Sequence, residues 1–147
     1  MTVIALFTQT QAGSKPDPQR EVILVSGGGI QSDIHEHRKT RSVVLMSTAD
    51  LTKLELQPGD LREQITVDIP ELMQLEVGSQ IDINGNILEI DGDCDPCTHI
   101  GDLLEIEDKE AFRETLLGHR GKLARVIHTT ESARISIGDP VTVNTNS

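Results

Sequence analysis

Two cysteines, separated by two residues, stand in the run Asp93-Cys-Asp-Pro-Cys-Thr-His99. Such a pair supplies half of a structural zinc site, because zinc in these sites takes four sulfur or nitrogen ligands. His99 and the earlier pair His35 and His37 are candidates for the other two ligands. A second interpretation is a single thiolate, Cys97, that binds a soft metal from a loop.

Two other interpretations of the cysteine pair stay open. A thioredoxin-like redox pair opens a helix, whereas here a predicted hairpin precedes the pair and Pro96 lies inside it, which disfavours redox chemistry. The cysteines are also consistent with two small, reduced thiols that have no chemical role. The carboxylates of Asp91, Asp93 and Asp95 disfavour a thiolate, so a functional thiolate here needs a bound cation or an arginine to offset them.

Three consecutive glycines, Gly27, Gly28 and Gly29, follow a predicted strand and could hold an anion with their backbone N–H groups. The loop lacks the Gly-Lys-Ser/Thr of a P-loop and the G-x-G-x-x-G of a dinucleotide fold. The alternative is a flexible loop with solvated charges, and composition alone favours that alternative.

Arginines beside amides or glycines form the remaining candidate sites. Arg62 and Gln64 alternate along a predicted strand over 61–67, so their side chains are expected on one face. Such a pair suits a planar ligand that carries a phosphate. The more common outcome for Arg62 is an ion pair with a neighbouring acid. Arg120, in the run Gly118-His-Arg-Gly121, could bind a ligand phosphate or face the C-terminus of the preceding helix.

The chain that positions these residues has 147 residues, a length typical of a single domain. We therefore expect one domain over 1–147. The core is expected to be aliphatic, since there are two Phe and no Trp or Tyr, which excludes base stacking on aromatic side chains. The net charge is −11, with the acids concentrated in 49–117 and a slight excess of bases at both ends. This charge disfavours nucleic acid and permits a small anionic ligand where the basic ends meet.

The first residues lack the positively charged start of a signal peptide, and no apolar run is long enough to span a membrane. Two cysteines do not make the disulfide framework of a secreted protein. We therefore expect a soluble, cytoplasmic protein.

Short apolar runs rich in β-branched residues predict strands at Val3–Thr8, Glu21–Ser26, Ser42–Met46, Lys122–His128 and Val141–Val143. The segment Gln80–Ile90 predicts a hairpin that turns at Asn84-Gly85. Ser47 and Thr48 predict the start of a short helix, and a second helix is predicted over Glu107–Leu117. We therefore expect a mainly β domain with one or two short α-helices and a loop over Gln9–Gln19.

The order of these elements resembles the MOSC domain, which occurs at the C-terminus of molybdenum cofactor sulfurases and in small stand-alone bacterial proteins. The resemblance covers most of the chain, from about Val22 to Val143. Its matching elements are Gly29, Asp33-x-His35, Arg41-Ser-Val-Val-Leu, Leu61-Arg-Glu-Gln-Ile-Thr-Val, Leu75-x-x-Gly78-x-x-Ile81, Pro96-Cys97, Arg120-Gly121 with Ala124-Arg-Val-Ile127, and Ile137-Gly138-Asp139-x-Val141.

The resemblance implies a β-barrel-like fold that binds the molybdenum cofactor, a molybdenum-bearing pterin with a phosphate. It places Cys97 as the molybdenum ligand and catalytic residue, and a soft thiolate suits that metal. It also implies that Arg62 and Gln64 contact the polar groups of the pterin. Gln64 departs from the family pattern, which has Asn at this position.

Other residues of the matching elements complete the implied site. Arg41 and Arg120, with Arg38 beside them, are candidates for binding the cofactor phosphate. Asp33 and His35 are implied as proton donors or as structural residues of the pocket. No pyridoxal phosphate domain is recognised in the chain.

The activity implied by the resemblance is the reduction of N-hydroxylated compounds, with electrons from a separate electron-transfer protein. A second hypothesis is a non-catalytic carrier of the cofactor or of sulfur, the sulfur being held as a persulfide on Cys97. A third is a binding module without the cofactor that holds zinc through Cys94, Cys97 and His99. Small barrels with edge strands often form homodimers, and neither nucleic acid nor a membrane is expected as a partner.

Overall fold

The computed structural model describes residues 1–94, 108–116 and 118–145. Ten strands within these ranges carry the fold: β1 Val3–Thr8, β2 Asp17–Gln19, β3 Glu21–Ile23, β4 Val43–Ser47, β5 Ile65–Val67, β6 Gln80–Ile83, β7 Asn86–Asp93, β8 Lys122–His128, β9 Arg134–Ser136 and β10 Val141–Asn144. Two short helices, α1 Thr48–Lys53 and α2 Lys109–Thr115, and a 3-10 turn at Leu72–Gln74 join them. The predicted mainly β class is confirmed. None of the described helices is long and apolar enough to cross a membrane.

Eight strands form one sheet in the order β10-β6-β7-β8-β4-β5-β1-β2, and β3 pairs with β9 in a second, smaller sheet. β4 and β5 run parallel, whereas β4 and β8 are antiparallel. The described part of the large sheet is not closed into a barrel, so the barrel-like part of the expectation is not confirmed. One edge is β2, a three-residue strand with Pro18 at its centre, and proline has no N–H with which to continue the pairing.

Two turns predicted from the sequence have the expected geometry. Asn84 and Gly85 both have positive φ, 52° and 92°, as the tight hairpin turn between β6 and β7 requires. The backbone N–H of Gly85 donates to the carboxylate of Asp82 at 2.8 Å. At the start of α1, the hydroxyl of Ser47 accepts a hydrogen bond from the backbone N–H of Ala49 at 3.2 Å, which caps the helix.

The core contains two clusters of buried side chains. The main cluster consists of Val, Leu and Ile with Ala124 and comes chiefly from the strands. A second, smaller cluster joins β4 and α1 to two loops through Met46, Leu51, Leu61 and Leu116. Because Leu61 precedes Arg62 and Leu116 precedes the 118–121 turn, this smaller cluster fixes the two segments that carry candidate arginines.

Candidate functional site

The segment from Gly59 to Gln64 is a turn that leads into β5 and carries two of the predicted site residues. Arg62 has a left-handed backbone conformation, with φ of 61°, and β5 begins only at Ile65. The expected strand alternation of Arg62 and Gln64 is therefore wrong, because the backbone at Arg62 is not extended. The first part of the predicted strand is instead a tight turn. The backbone N–H of Arg62 closes this turn by donating to the carbonyl of Gly59 at 3.0 Å.

The side-chain amide of Gln64 is buried and bonded within the protein. Its Oε1 accepts a hydrogen bond from the backbone N–H of Val44 at 2.7 Å, and its Nε2 lies 3.5 Å from Oδ2 of Asp33. The backbone of Gln64 also pairs with Val44 and with Phe7. Gln64 thus joins the start of β4 to the loop that carries Asp33.

Asp33 is the centre of a buried hydrogen-bond network. Its carboxylate accepts from the backbone N–H of Gln9 at 2.8 Å and from that of His35 at 2.9 Å, and Nδ1 of His35 lies 3.2 Å from Oδ1. Burial alone would raise the pKa of Asp33, but the His35 ring and these two N–H groups outweigh it and lower the pKa below its usual value. Asp33 is therefore an anion that orients a partly exposed imidazole.

The carboxyl group of Glu63 is fully buried, and sequence reasoning missed it. Its Oε2 accepts a hydrogen bond from the hydroxyl of Thr66 at 2.9 Å, and its Oε1 has no hydrogen-bond partner among the described residues. Burial raises the pKa of Glu63, and nearby backbone groups, the Thr66 hydroxyl and the positive charge of Arg120 act in the opposite direction. A buried carboxyl beside a buried cation thus lies between two predicted site residues.

Arg120 is 6% exposed, and two nitrogens of its side chain, Nε and Nη1, are buried without a hydrogen-bond partner in the described ranges. Buried guanidinium groups normally have their N–H groups satisfied, since an unsatisfied one costs about 1–3 kcal/mol or more when charged. Both nitrogens are N–H donors on a positively charged group, so an anionic oxygen is a suitable acceptor for either of them.

The segments that carry Arg120 and Glu63 pack on the two sides of β4. A Cβ at Gly121 would lie 3.4 Å from the sulfur of Met46 and 2.5 Å from the carbonyl oxygen of Leu45, so the 120–121 segment lies close against β4. On the other side of the strand, Thr66 pairs with Met46 in register. The positive charge of Arg120 is close enough to lower the pKa of Glu63, against the larger effect of burial.

The end of β7 is bonded to the 118–121 turn and to the start of β8. The backbone N–H of Cys94 donates to the carbonyl of Gly121 at 3.1 Å, and Nζ of Lys122 contacts Oδ1 of Asp93 at 2.5 Å. Cys94 is partly buried. Cys97, the predicted metal ligand, and His99 lie outside the described residues. Within the described ranges no group of three His, Cys, Asp or Glu is arranged to hold a metal ion.

Arg41 lies at a different part of the sheet from Gln64. Its backbone N–H donates to Oδ2 of Asp91 at 2.7 Å, and its guanidinium lies against Gly92 of β7, where a Cβ would be 3.4 Å from Nη2. The structure thus brings Asp33, His35 and Gln64 into one network and places Arg41 along β7. Arg38 is exposed.

The three glycines after β3 do not offer their N–H groups to a ligand. Those of Gly27, Gly28 and Gly29 donate to the carbonyls of Val126, Val25 and Glu36 at 2.9 Å each. A Cβ at Gly28 would lie 2.3 Å from the carbonyl oxygen of Glu36, so this residue is small because the chain passes close to it. The backbone N–H groups of these glycines therefore do not form the anion cradle that was the less favoured of the two interpretations.

Another contact at this end of the sheet had no sequence signal. Nδ1 of His119 lies 2.7 Å from Oδ1 of the buried Asp50, in the first turn of α1. The pair joins α1 to the turn that carries Arg120. Neither Asp50 nor Glu63 stands out in the sequence, because acids are numerous from 49 to 117 and only the fold shows which are buried.

Solved structures with the same fold include three bacterial proteins. The YuaD protein from Bacillus subtilis is 22% identical, with a TM-score of 0.81 over 100% of this chain and 98% of its own. YiiM from Geobacillus stearothermophilus is 15% identical, with a TM-score of 0.70 over 97% of this chain and 73% of its own. YiiM from Escherichia coli is 13% identical, with a TM-score of 0.67 over 100% and 71%.

The sequence was also compared with curated proteins and with family models. No curated protein matches the chain significantly. The model of the MOSC domain matches residues 32–142, which include the Asp33 network, the 59–64 turn and Arg120. The chain therefore belongs to the MOSC domain family, which is associated with binding of the molybdenum cofactor.

Proposed function

We propose that this chain binds the molybdenum cofactor, with Arg120 holding an anionic oxygen group of the cofactor and Cys97 ligating the metal. The observation that carries the proposal is the buried guanidinium of Arg120, whose Nε and Nη1 have no hydrogen-bond partner among the described residues. Leaving such a group unsatisfied is costly, and a phosphate supplies anionic acceptor oxygens of the kind that it lacks.

The location of Arg120 supports the assignment of Cys97. Gly121 is bonded to Cys94, and Cys97 follows Cys94 by three residues in the chain. A soft thiolate is a suitable ligand for molybdenum.

Gln64 and Asp33 act in this proposal as positioning residues. The amide oxygen of Gln64 is bonded to Val44, so it holds the 59–64 turn in place. Asp33 fixes the ring of His35, which is 30% exposed and can exchange protons with solvent or with a ligand. Arg62, on the same turn, is the proposed contact to the pterin.

The proposed reaction is the reduction of an N-hydroxylated compound. Two electrons from a separate protein and two protons convert the N–OH group to N–H and release one water. The bound metal supplies the two-electron redox chemistry. His35, oriented by Asp33 at 3.2 Å, is the proposed proton donor of this chain.

The test is the molybdenum, pterin and zinc content of the purified chain, expressed with molybdate in a host that makes the cofactor. We expect molybdenum and pterin in equal amounts in the unmodified chain. Both should be lost in Arg120→Gln, whereas Cys97→Ala should lose molybdenum. The matched control is Arg134→Gln, because Arg134 is half exposed and has only a long ion pair, 3.7 Å, with Glu21.

Each other outcome contradicts a defined part of the proposal. Unchanged cofactor content in Arg120→Gln would exclude Arg120 as the anchor. Zinc without pterin, lost on substitution of either Cys94 or Cys97, would indicate a structural zinc module. Cofactor that binds and is released to an acceptor protein, with no reduction of N-hydroxylated compounds, would indicate a carrier.

A further inference from the structure

We propose that Glu63 is a proton-uptake site coupled to Arg120, so that an anion and a proton enter this buried region together. The inference rests on the anion site proposed above and adds a residue and a reaction to it. Glu63 binds the proton, and no bond other than O–H is formed.

The geometry leaves room for a proton on Glu63. The side chain is fully buried, and its Oε2 is bonded to the hydroxyl of Thr66 at 2.9 Å. Its Oε1 has no hydrogen-bond partner among the described residues. A buried carboxylate oxygen without a donor favours the protonated form, because the neutral acid loses less hydration on burial.

Arg120 is the charged group that opposes this protonation. Among the described residues, the groups that lower the pKa of Glu63 are its own backbone, that of Gly59, the Thr66 hydroxyl and Arg120, and within this set Arg120 carries the charge. The neighbouring His119 is bonded to Asp50 on α1 at 2.7 Å. The guanidinium of Arg120 therefore favours the ionised form of Glu63, against the larger effect of burial.

An anion at Arg120 changes that balance. Its negative charge cancels the field of the guanidinium at Glu63 and adds a repulsion between like charges in a region of low dielectric constant. Burial, which already raises the pKa of Glu63, is then opposed by less, and Glu63 takes up a proton from solvent. A dianion that binds together with one proton therefore adds a net charge of −1, and not −2, to the buried region.

Coupled proton uptake makes anion binding pH-dependent in a defined direction. Where one proton is taken up for each anion bound, affinity rises about tenfold for each unit by which pH falls. At a pH low enough for Glu63 to be protonated in the free protein, the dependence disappears.

Sulfate is the probe for this coupling, because it does not titrate near neutral pH and has the oxygen geometry of a phosphate. Isothermal titration calorimetry in two buffers of different ionisation enthalpy, at one pH, counts the protons taken up on binding. We expect net proton uptake by the unmodified chain and a marked loss of it in Glu63→Gln, which keeps an acceptor for Thr66. The control is Glu76→Gln, an exposed residue, which should retain the uptake.

The outcomes separate this inference from the function on which it rests. Sulfate binding that requires Arg120 but involves no proton uptake would overturn the inference and leave the anion site intact. Equal uptake in the unmodified chain and in a folded Glu63→Gln, as judged by far-ultraviolet circular dichroism, would assign the proton to another group. No sulfate binding, or binding that Arg120→Gln does not weaken, would overturn the anion site and the inference together.

Discussion

The side-chain oxygen of Gln64 accepts a hydrogen bond from the backbone N–H of Val44, 20 residues earlier, at 2.7 Å. Val44 lies in β4 and Gln64 just before β5, so this bond joins the two parallel strands before their regular pairing begins. The position of Arg62 and Glu63 therefore depends on an amide that does not need to touch any ligand.

Replacing Gln64 by Ala should destabilise the protein by about 1–3 kcal/mol, because the buried N–H of Val44 loses its acceptor. Gln64→Asn should cost nearly as much, since its amide is one methylene further from that N–H. Urea unfolding at neutral pH measures both changes. Gln74→Ala, at an exposed position, should stay within about 0.5 kcal/mol of the unmodified protein, and an equally small effect at Gln64 would contradict the structure.

Asp33→Asn should reduce the dependence of stability on acid pH. The pKa of Asp33 is lowered in the folded state, so its contribution is present above the unfolded-state pKa and is lost as pH falls through the folded-state value. The variant should therefore be less stable than the unmodified chain at pH 7, and the gap should shrink toward roughly pH 3. Urea unfolding at the two pH values tests this, with Asp17→Asn, an exposed residue, as the control. A gap that stays constant would be inconsistent with an ionised Asp33.

Gly121→Ala should destabilise the protein more than Gly138→Ala does. Both glycines have positive φ, 112° and 92°, so both variants carry backbone strain of about 1–2 kcal/mol. Only at Gly121 does the added Cβ also meet backbone, 2.5 Å from the carbonyl oxygen of Leu45. The contact should add at least about 1 kcal/mol and weaken sulfate binding at Arg120. Thermal unfolding and sulfate titration of the two variants make the comparison, and equal losses would show that β4 can move aside.

Arg120→Met should make stability fall as pH rises. Without the guanidinium, the pKa of Glu63 in the folded state lies further above its value in the unfolded state. The protonated carboxyl then stabilises the folded state below the unfolded-state pKa, and this stabilisation is lost as pH rises through the folded-state pKa. Removal of one partner of a buried charge pair costs up to about 3–5 kcal/mol where the other stays ionised. The double variant Glu63→Gln/Arg120→Met should lack this pH dependence. Urea unfolding of the single and the double variant at about pH 5 and pH 8 tests the interaction between Glu63 and Arg120. The same change in unfolding free energy with pH in both variants would refute it.

Much of the fold follows from local sequence. The strands β1 and β8 have the predicted bounds, the β6–β7 hairpin turns at Asn84-Gly85, and Ser47 caps α1, because each depends on residues close together in the chain. The strand β2 was predicted as loop, since three residues around a proline have no alternating pattern. Its pairing with β1 is decided by contacts that only the folded chain makes.

The site was less predictable for the same reason. The motif positions Asp33, His35 and Gln64 do meet in one network, but their partners Gln9 and Val44 belong to strands or loops that are distant in sequence. Burial of Glu63 cannot be read from a segment rich in acids. The sequence also could not show that the N–H groups of the glycine loop pair with carbonyls, because those partners come together only when the chain folds.

The aliphatic core has a practical consequence for optical work. Because the chain contains two Phe and no Trp or Tyr, its own absorbance in the near ultraviolet is weak, and it has no indole or phenol fluorescence. A pterin bound beside Arg120 would therefore be seen by its own absorption and emission, almost free of protein background. A single tryptophan placed in the main core would act as the only indole in the molecule, so unfolding and ligand binding could be followed at separate wavelengths in one sample.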